Sequence, residues 1–135
     1  MVKSRNLQEL MCDNINAFSV KFGLPQLENP GFLKEEDMKY RLKFILEELN
    51  ELVSASEEMN LEGTLDALVD IVYVALGTAW LMNLPIMDAW DRVHHANMQK
   101  ERVVTNTDPR SKRHHHLDIV KPDGWIPPNL KDLLS

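Results

Sequence analysis

Apolar residues recur along this chain with the period of an α-helix, and no run shows the alternation of a strand bounded by turns. Four segments carry the helical period. The first runs from about Arg5 to Phe22, with Ser4 placed to cap its start and Gly23 to end it in a left-handed conformation. Pro25, Pro30 and Gly31 mark the stretch from Leu24 to Lys34 as a connector. The second segment, Glu35 to Met59, sets Leu42, Ile45, Leu46, Leu49, Leu52 and Val53 on one stripe, which predicts a core-facing side. The third, Glu62 to Met82, is apolar nearly all the way round from Leu65 onward, the pattern of a buried helix. The fourth begins at Pro85, a residue suited to a first helical turn, and runs to about Val103. Prolines and a glycine then interrupt polar sequence around Trp125. The expected fold is an all-α four-helix bundle with an irregular tail. One domain spans 1–135, with a helical body over 4–103 and a tail over 104–135.

Composition narrows the class. The 135 residues are 44% apolar, normal for one globular domain with a real core. A single cysteine, Cys12, excludes a disulfide framework and is compatible with a reducing cytoplasm. The first ten residues are too polar for a signal peptide. The longest unbroken apolar stretch, Ile71 to Met82, is too short for a bilayer, so no membrane partner is expected. A net charge of −6 argues against general nucleic-acid binding. The charge is uneven, however. Residues 100–121 hold six of the 15 basic groups and only three of the 21 acids. An acidic body beside a basic segment suits a chemistry that combines cations with phosphates.

The acids of the second and third segments carry that idea further. At about 100° per residue, Glu47, Glu51 and Glu58 share one line of the second helix, with Glu48 about a quarter-turn away. That line lies nearly opposite the leucine stripe, as a solvent face would. Tyr40, Phe44 and Ala55 fall in the same sector, though, and so point to a covered side. In the third helix the stretch from Leu65 to Met82 holds two carboxylates, Asp66 and Asp70, one turn apart. Asp66 sits where the helix dipole favours an acid. Asp70 sits deep among apolar residues and needs a compensating cation from outside its helix. Glu47, Glu48, Glu51, Asp66 and Asp70 form a set of hard oxygen donors without cysteine or histidine, a donor set for Mg²⁺ or Mn²⁺ rather than zinc. Mg²⁺ is commonly completed by substrate phosphates, so such a nest is half of a polyphosphate site.

The ordered runs Glu47-Glu48-Leu49-Asn50-Glu51 and Leu65-Asp66-Ala67-Leu68-Val69-Asp70-Ile71-Val72-Tyr73 resemble the MazG-like all-α NTP pyrophosphohydrolases, the superfamily of MazG, dimeric dUTPases and phosphoribosyl-ATP pyrophosphohydrolase. His95-Ala96-Asn97-Met98-Gln99-Lys100 and Lys121-Pro122-Asp123-Gly124-Trp125-Ile126-Pro127-Pro128 resemble its phage and bacterial branch. With Phe18 to Phe22, the resemblance covers roughly 13–130. Two departures stand out. MazG itself usually spaces the acids of the second motif by three residues, whereas Asp66 and Asp70 are four apart. Related sequences often carry a histidine where this chain has Ser19.

The resemblance implies hydrolysis of a (d)NTP to (d)NMP and pyrophosphate. Two to three Mg²⁺ or Mn²⁺ ions would neutralise the triphosphate and activate the water that attacks the α-phosphorus. Glu48, Glu51 and Asp70 are then the principal metal ligands and Asp66 an additional one. Glu47 is a ligand or the general base. Tyr73, Asn97, Lys100, Arg113 and Lys121 are expected to contact substrate. Trp125 is expected to stack on the base or, alternatively, to anchor the tail. His114 to His116 read as solvated surface or a metal tract. The resemblance also implies a homodimer or homotetramer, the cytoplasm (a host's, if phage-encoded) as compartment, and dGTP or GTP as preferred substrate. Two other readings remain. Asp91 and His94 echo one motif of a di-iron four-helix protein, and an acidic helical adaptor would have no catalytic site.

Overall fold

The computed structural model describes residues 6–135 and consists of four α-helices with little strand. The helices are α1 (Leu7–Lys21), α2 (Glu35–Glu57), α3 (Leu61–Leu81) and α4 (Ile86–Asn97). The mostly helical architecture agrees with the expected all-α bundle. Asn6 caps α1 by accepting a hydrogen bond from the Glu9 N–H at 2.8 Å. Ser4 and Arg5, where the sequence sets the cap and the helix start, lie outside the described residues. Gly23 follows α1 at φ +62°, the left-handed stop expected of it.

The chain divides into two compact units, 1–87 and 88–135, with the boundary in the first turn of α4. In the first unit α2 and α3 form a tightly connected pair, and α1 packs on α3. The turn between α2 and α3 is short and specified. Met59 takes φ +55°, the Asn60 N–H donates to the Ala55 carbonyl, and the Asn60 side chain accepts from the Gly63 N–H at 2.9 Å. The two helices therefore run antiparallel, with Ala55, Ala67 and Ala79 among the buried side chains. The connector before α2 caps the far end of α3. The Leu27 and Gly31 N–H groups donate to the Leu81 and Met82 carbonyls, and the Gln26 side chain donates to the Trp80 carbonyl. The Leu81 and Met82 carbonyls would otherwise be unpaired at a helix C-terminus, whereas that of Trp80 also accepts from the Asn83 N–H.

The burial differs from expectation. Four of the six residues of the leucine stripe of α2 are exposed: Leu42, Leu46, Leu49 and Val53 are each about half accessible, while Ile45 and Leu52 are partly buried. The opposite face packs on α3, which is why Ala55 is buried. Nor is α3 buried all round, since Leu65, Leu68 and Val69 are exposed. By length and mean hydropathy (1.5), α3 would also pass as a membrane span, contrary to the estimate from the 12-residue stretch. The same test is met by core helices of water-soluble proteins. Here Asp66 and Asp70 interrupt the helix, and an acid costs about 2.5–3.5 kcal/mol at a bilayer centre.

The second unit shows two further differences. α4 ends at Asn97 rather than near Val103, and the chain then enters a short antiparallel ladder of β1 (Glu101–Arg102) and β2 (Ile119–Val120). A sheet was not expected. Two-residue strands are too short to leave an alternating signature. The loop between them is organised by Asp118, a buried carboxylate that accepts from the Ser111 hydroxyl at 2.7 Å and from Arg113 at 2.5 Å. The Ser111 hydrogen bond, then the Arg113 guanidinium, hold Asp118 below the usual carboxylate range.

Gly63→Ala tests the α2–α3 turn. A Cβ at Gly63 would lie 2.7 Å from the Asn60 side-chain nitrogen and 3.3 Å from the Ala55 Cβ. Displacing the cap costs about 1 kcal/mol and crowding about 1–3 kcal/mol, against about 1 kcal/mol gained from helix propensity. A net loss of about 1–3 kcal/mol in urea unfolding is expected.

Candidate metal centre and nucleotide-binding surface

The antiparallel register of α2 and α3 brings three acids together. Glu48 and Glu51, one turn apart on α2, face Asp70 of α3, and each offers a carboxylate oxygen within 4.8 Å of the others. The Oε2 atom of Glu48 is buried and has no hydrogen-bond partner. No lysine or arginine forms an ion pair with any of the three among the described residues. An orphaned, buried carboxylate oxygen is costly, and two neighbouring acids add repulsion.

The titration behaviour follows from this geometry. Burial first, then the charges of Glu51 and Asp70, a hydrogen bond that the protonated Glu48 makes to Glu51, and the charge of Asp66 push the Glu48 carboxyl above its ordinary value. Asp70 is pushed up by burial, then by Asp66 and Glu51 and a hydrogen bond with Asp66. The three acids make a hard, oxygen-only donor set with one buried oxygen unpartnered, and they fit a divalent cation.

Asp66 is exposed one turn before Asp70, near enough to influence both raised carboxyls. Glu47 is exposed and outside the group of three. The sequence projection grouped Glu47 with Glu51 and set Glu48 to one side, whereas Glu48 is the residue turned onto α3. The helix axis fixes angular spacing but not which side a neighbour covers.

Beside the acids lies a cavity of about 440 Å³ between α1, the connector, α2 and α3. Phe18, Phe22, Tyr40, Phe44 and Tyr73 give it an aromatic lining, and buried Ser19 closes part of its wall. Phe18 packs edge-on against Tyr73 with ring centroids 5.4 Å apart. Arg41 also lines it, donating through Nε to the Thr78 hydroxyl (3.0 Å) and through Nη2 to the Val74 carbonyl (2.9 Å). Tyr73 was expected from the sequence; Arg41 was not. Its signal was present, since Arg41, Phe44, Glu48 and Glu51 recur at helical spacing along one side of α2.

In the second unit, Asn97, Lys100 and Arg113 line one hollow with His115 and Asp118. Asn97 is the last residue of α4 and Lys100 lies beyond it, whereas a fourth helix running to about Val103 would have held both. The Trp125 indole N–H donates to the Ala96 carbonyl at 2.7 Å, and the amines of Lys100 and Lys121 sit 5.1 and 4.9 Å from its ring centroid. Asp91 and His94, the di-iron echo, are both exposed, and the three-acid group includes no histidine. His115 and His116 stack on each other, and all of His114 to His116 are exposed.

A family model described as phosphoribosyl-ATP pyrophosphohydrolase matches residues 15–97, well over half of the chain. The chain belongs to this family, within the MazG-like all-α NTP pyrophosphohydrolases. Its members are hydrolases acting on phosphoric anhydrides and typically depend on divalent metal. No curated protein matches the chain.

Glu48→Gln tests the metal centre without substrate. The change removes a charge from the cluster at nearly constant volume, so the metal-free protein should melt at the same or a higher temperature. Millimolar Mg²⁺ should raise the wild-type melting temperature by mass action and leave that of the variant unmoved. A variant that melts lower than wild type without metal would instead mean that Glu48 serves a protein cation.

Proposed function

We propose that this protein hydrolyses nucleoside triphosphates between the α- and β-phosphates, yielding a nucleoside monophosphate and pyrophosphate. The observation that carries this reading is the buried Glu48 oxygen without a partner, set among Glu51 and Asp70 beside an aromatic cavity. Glu48, Glu51 and Asp70, with Asp66 behind them, would hold two to three Mg²⁺ or Mn²⁺ ions. Bound there, the ions supply charge neutralisation of the polyphosphate and an acidified water. The residues do the rest. Opposed acids on two rigid helices fix where the α-phosphorus sits, so attack in line with the departing pyrophosphate needs little reorganisation. Glu47, exposed at the rim, is placed in the role of general base and takes the proton of the attacking water. The α–β bridging oxygen leaves with pyrophosphate.

Tyr73 borders the acids and faces the nucleoside. Asn97, Lys100, Arg113 and Lys121, all in the second unit, are assigned to substrate phosphates. Trp125 is carried forward as the tail's anchor, because its indole N–H is already committed to Ala96 and its ring to two lysines. The compartment that suits this chemistry is the cytoplasm, where nucleotide pools are held.

Incubation with the common (d)NTPs and Mg²⁺ should release pyrophosphate and NMP, and EDTA should stop it. Release of orthophosphate with NDP would overturn the reading.

The exposed apolar stripe of α2, with Leu65, Leu68 and Val69 of α3, supports a homodimer or homotetramer built on this face. Leu46→Glu places a charge at its centre, where Leu46 is 54% exposed. Light scattering should then report a smaller species than wild type, while an unchanged mass would remove α2 from the interface.

A further inference from the structure

The seam between α2 and α3 has three contact layers, each seven residues from the next on both helices, about 10 Å along the axis. Ala55 meets Gly63 in the first, Glu48 meets Asp70 in the second, and Arg41 meets Gly77 in the third. Both outer layers are close approaches. A Cβ on Gly63 would lie 3.3 Å from that of Ala55, and one on Gly77 would lie 2.9 Å from Arg41 Nη2. The middle layer is the one that like charge pushes apart.

A ring of hydrogen bonds closes the third layer. Arg41 donates through Nε to the Thr78 hydroxyl (3.0 Å) and through Nη2 to the Val74 carbonyl (2.9 Å). The Thr78 hydroxyl donates its own proton to the same carbonyl at 2.8 Å, which leaves its lone pair for Arg41. The guanidinium is gripped at two points, and its carbon lies over the Phe44 ring, 5.4 Å from the centroid. No carboxylate pairs with Arg41 among the described residues. Burial, slightly offset by Tyr40, moves the group below its ordinary value. Burying a cation against uncharged acceptors is a costly way to join two helices. What it provides beyond an aliphatic contact is a fixed direction and distance.

We propose that Arg41, acting through Thr78 and Val74, is a positioning residue for the metal centre: the ring sets the separation of α2 and α3 at which Glu48, Glu51 and Asp70 share a cation. Asp70 precedes Val74 by one turn of α3 and Thr78 by two, and Glu48 follows Arg41 by two turns of α2. Two rigid helices therefore carry the grip to the ligands. Without the ring, the metal-free acids are free to separate, and an arriving cation must draw the helices together again at a cost in affinity. The proposal rests on the three acids holding a divalent cation, not on which bond is cleaved.

The test uses the full chain without nucleotide. Mn²⁺ affinity is read from the EPR signal of the free ion, at a temperature where circular dichroism shows each variant folded. Thr78→Val removes the hydroxyl at nearly constant volume, and Thr78→Ser keeps it. Arg41→Lys keeps the charge but lacks the planar fork that makes both bonds. Thr78→Val and Arg41→Lys should weaken Mn²⁺ binding by roughly 10-fold, the lower end of the range for residues that support metal ligands. Thr78→Ser should match wild type. A Thr78→Val protein that melts lower yet binds Mn²⁺ as tightly as wild type would overturn the proposal, because the ring would then serve stability alone. Equal weakening by valine and serine would overturn it too, since the hydroxyl would not be the cause. If Thr78→Val does not fold, Arg41→Lys decides, and wild-type affinity there overturns the proposal. Weakening in the expected pattern, without cleavage of any nucleoside triphosphate by wild type, would uphold the positioning role and overturn the hydrolase reading. Cleavage by wild type with unchanged Mn²⁺ affinity in both variants would do the opposite. A wild type that binds no Mn²⁺ would overturn the metal centre and the positioning role together.

Discussion

Repulsion among Glu48, Glu51 and Asp70 is the constraint around which the first unit is organised. Three acids whose ligand atoms lie within 4.8 Å of one another oppose the close approach of α2 and α3. That approach must then be secured elsewhere along the pair. On one side of the acids the Asn60 turn fixes Ala55 near Gly63, where only a hydrogen atom fits as side chain. On the other, Arg41 reaches across to Val74 and Thr78 and binds the helices through hydrogen bonds to uncharged acceptors. The acids are held together by neighbours that do not neutralise them. A cluster of this kind stays available to an external cation, because no internal one competes for it.

The same constraint explains the choice of Arg41's partners. A carboxylate opposite Arg41 would have relieved its burial, but it would also have filled the space beside the acids. Pairing the guanidinium with a carbonyl and a hydroxyl keeps its orientation fixed and its charge uncompensated. Contrast Asp118 in the second unit, where Ser111 and Arg113 satisfy the carboxylate and hold it below the ordinary range. One acid is satisfied and structural; the other set is frustrated and open. Perturbation upward by burial and like charge, rather than downward by partners, is the electrostatic difference between them.

The acids were legible in the sequence because carboxylates in an apolar helix stand out whatever the tertiary packing. Asp70 is the clearest case. The four helices were equally legible from their period, and Gly23 behaved as its type predicts. What the sequence hid was which side of α2 is covered. Both sides carry apolar residues, and a leucine stripe ordinarily wins the core. Here the leucines remain outside and the mixed side, with Phe44, Glu48 and Ala55, meets α3. The short ladder at Glu101 and Val120 was illegible for a different reason: strand pairing over two residues depends on a remote partner and leaves no local period. Arg41 was overlooked because a lone arginine on a long acidic helix looks like surface until its neighbours are known.

The inversion of α2 ties the two halves of the argument together. A helix has one angular sector for each demand made on it, and α2 meets two. Its mixed side must hold acids and aromatic rings against α3, so Leu42, Leu46, Leu49 and Val53 cannot also be buried there. Those side chains are then left to a second surface of similar apolar extent. Isolated leucines on a protein surface need no explanation, but a stripe of four exposed aliphatic residues from Leu42 to Val53 does. Exposure of the aliphatic face is thus a consequence of where the acids are placed, and it leaves on α2 the apolar surface on which the proposed association would be built.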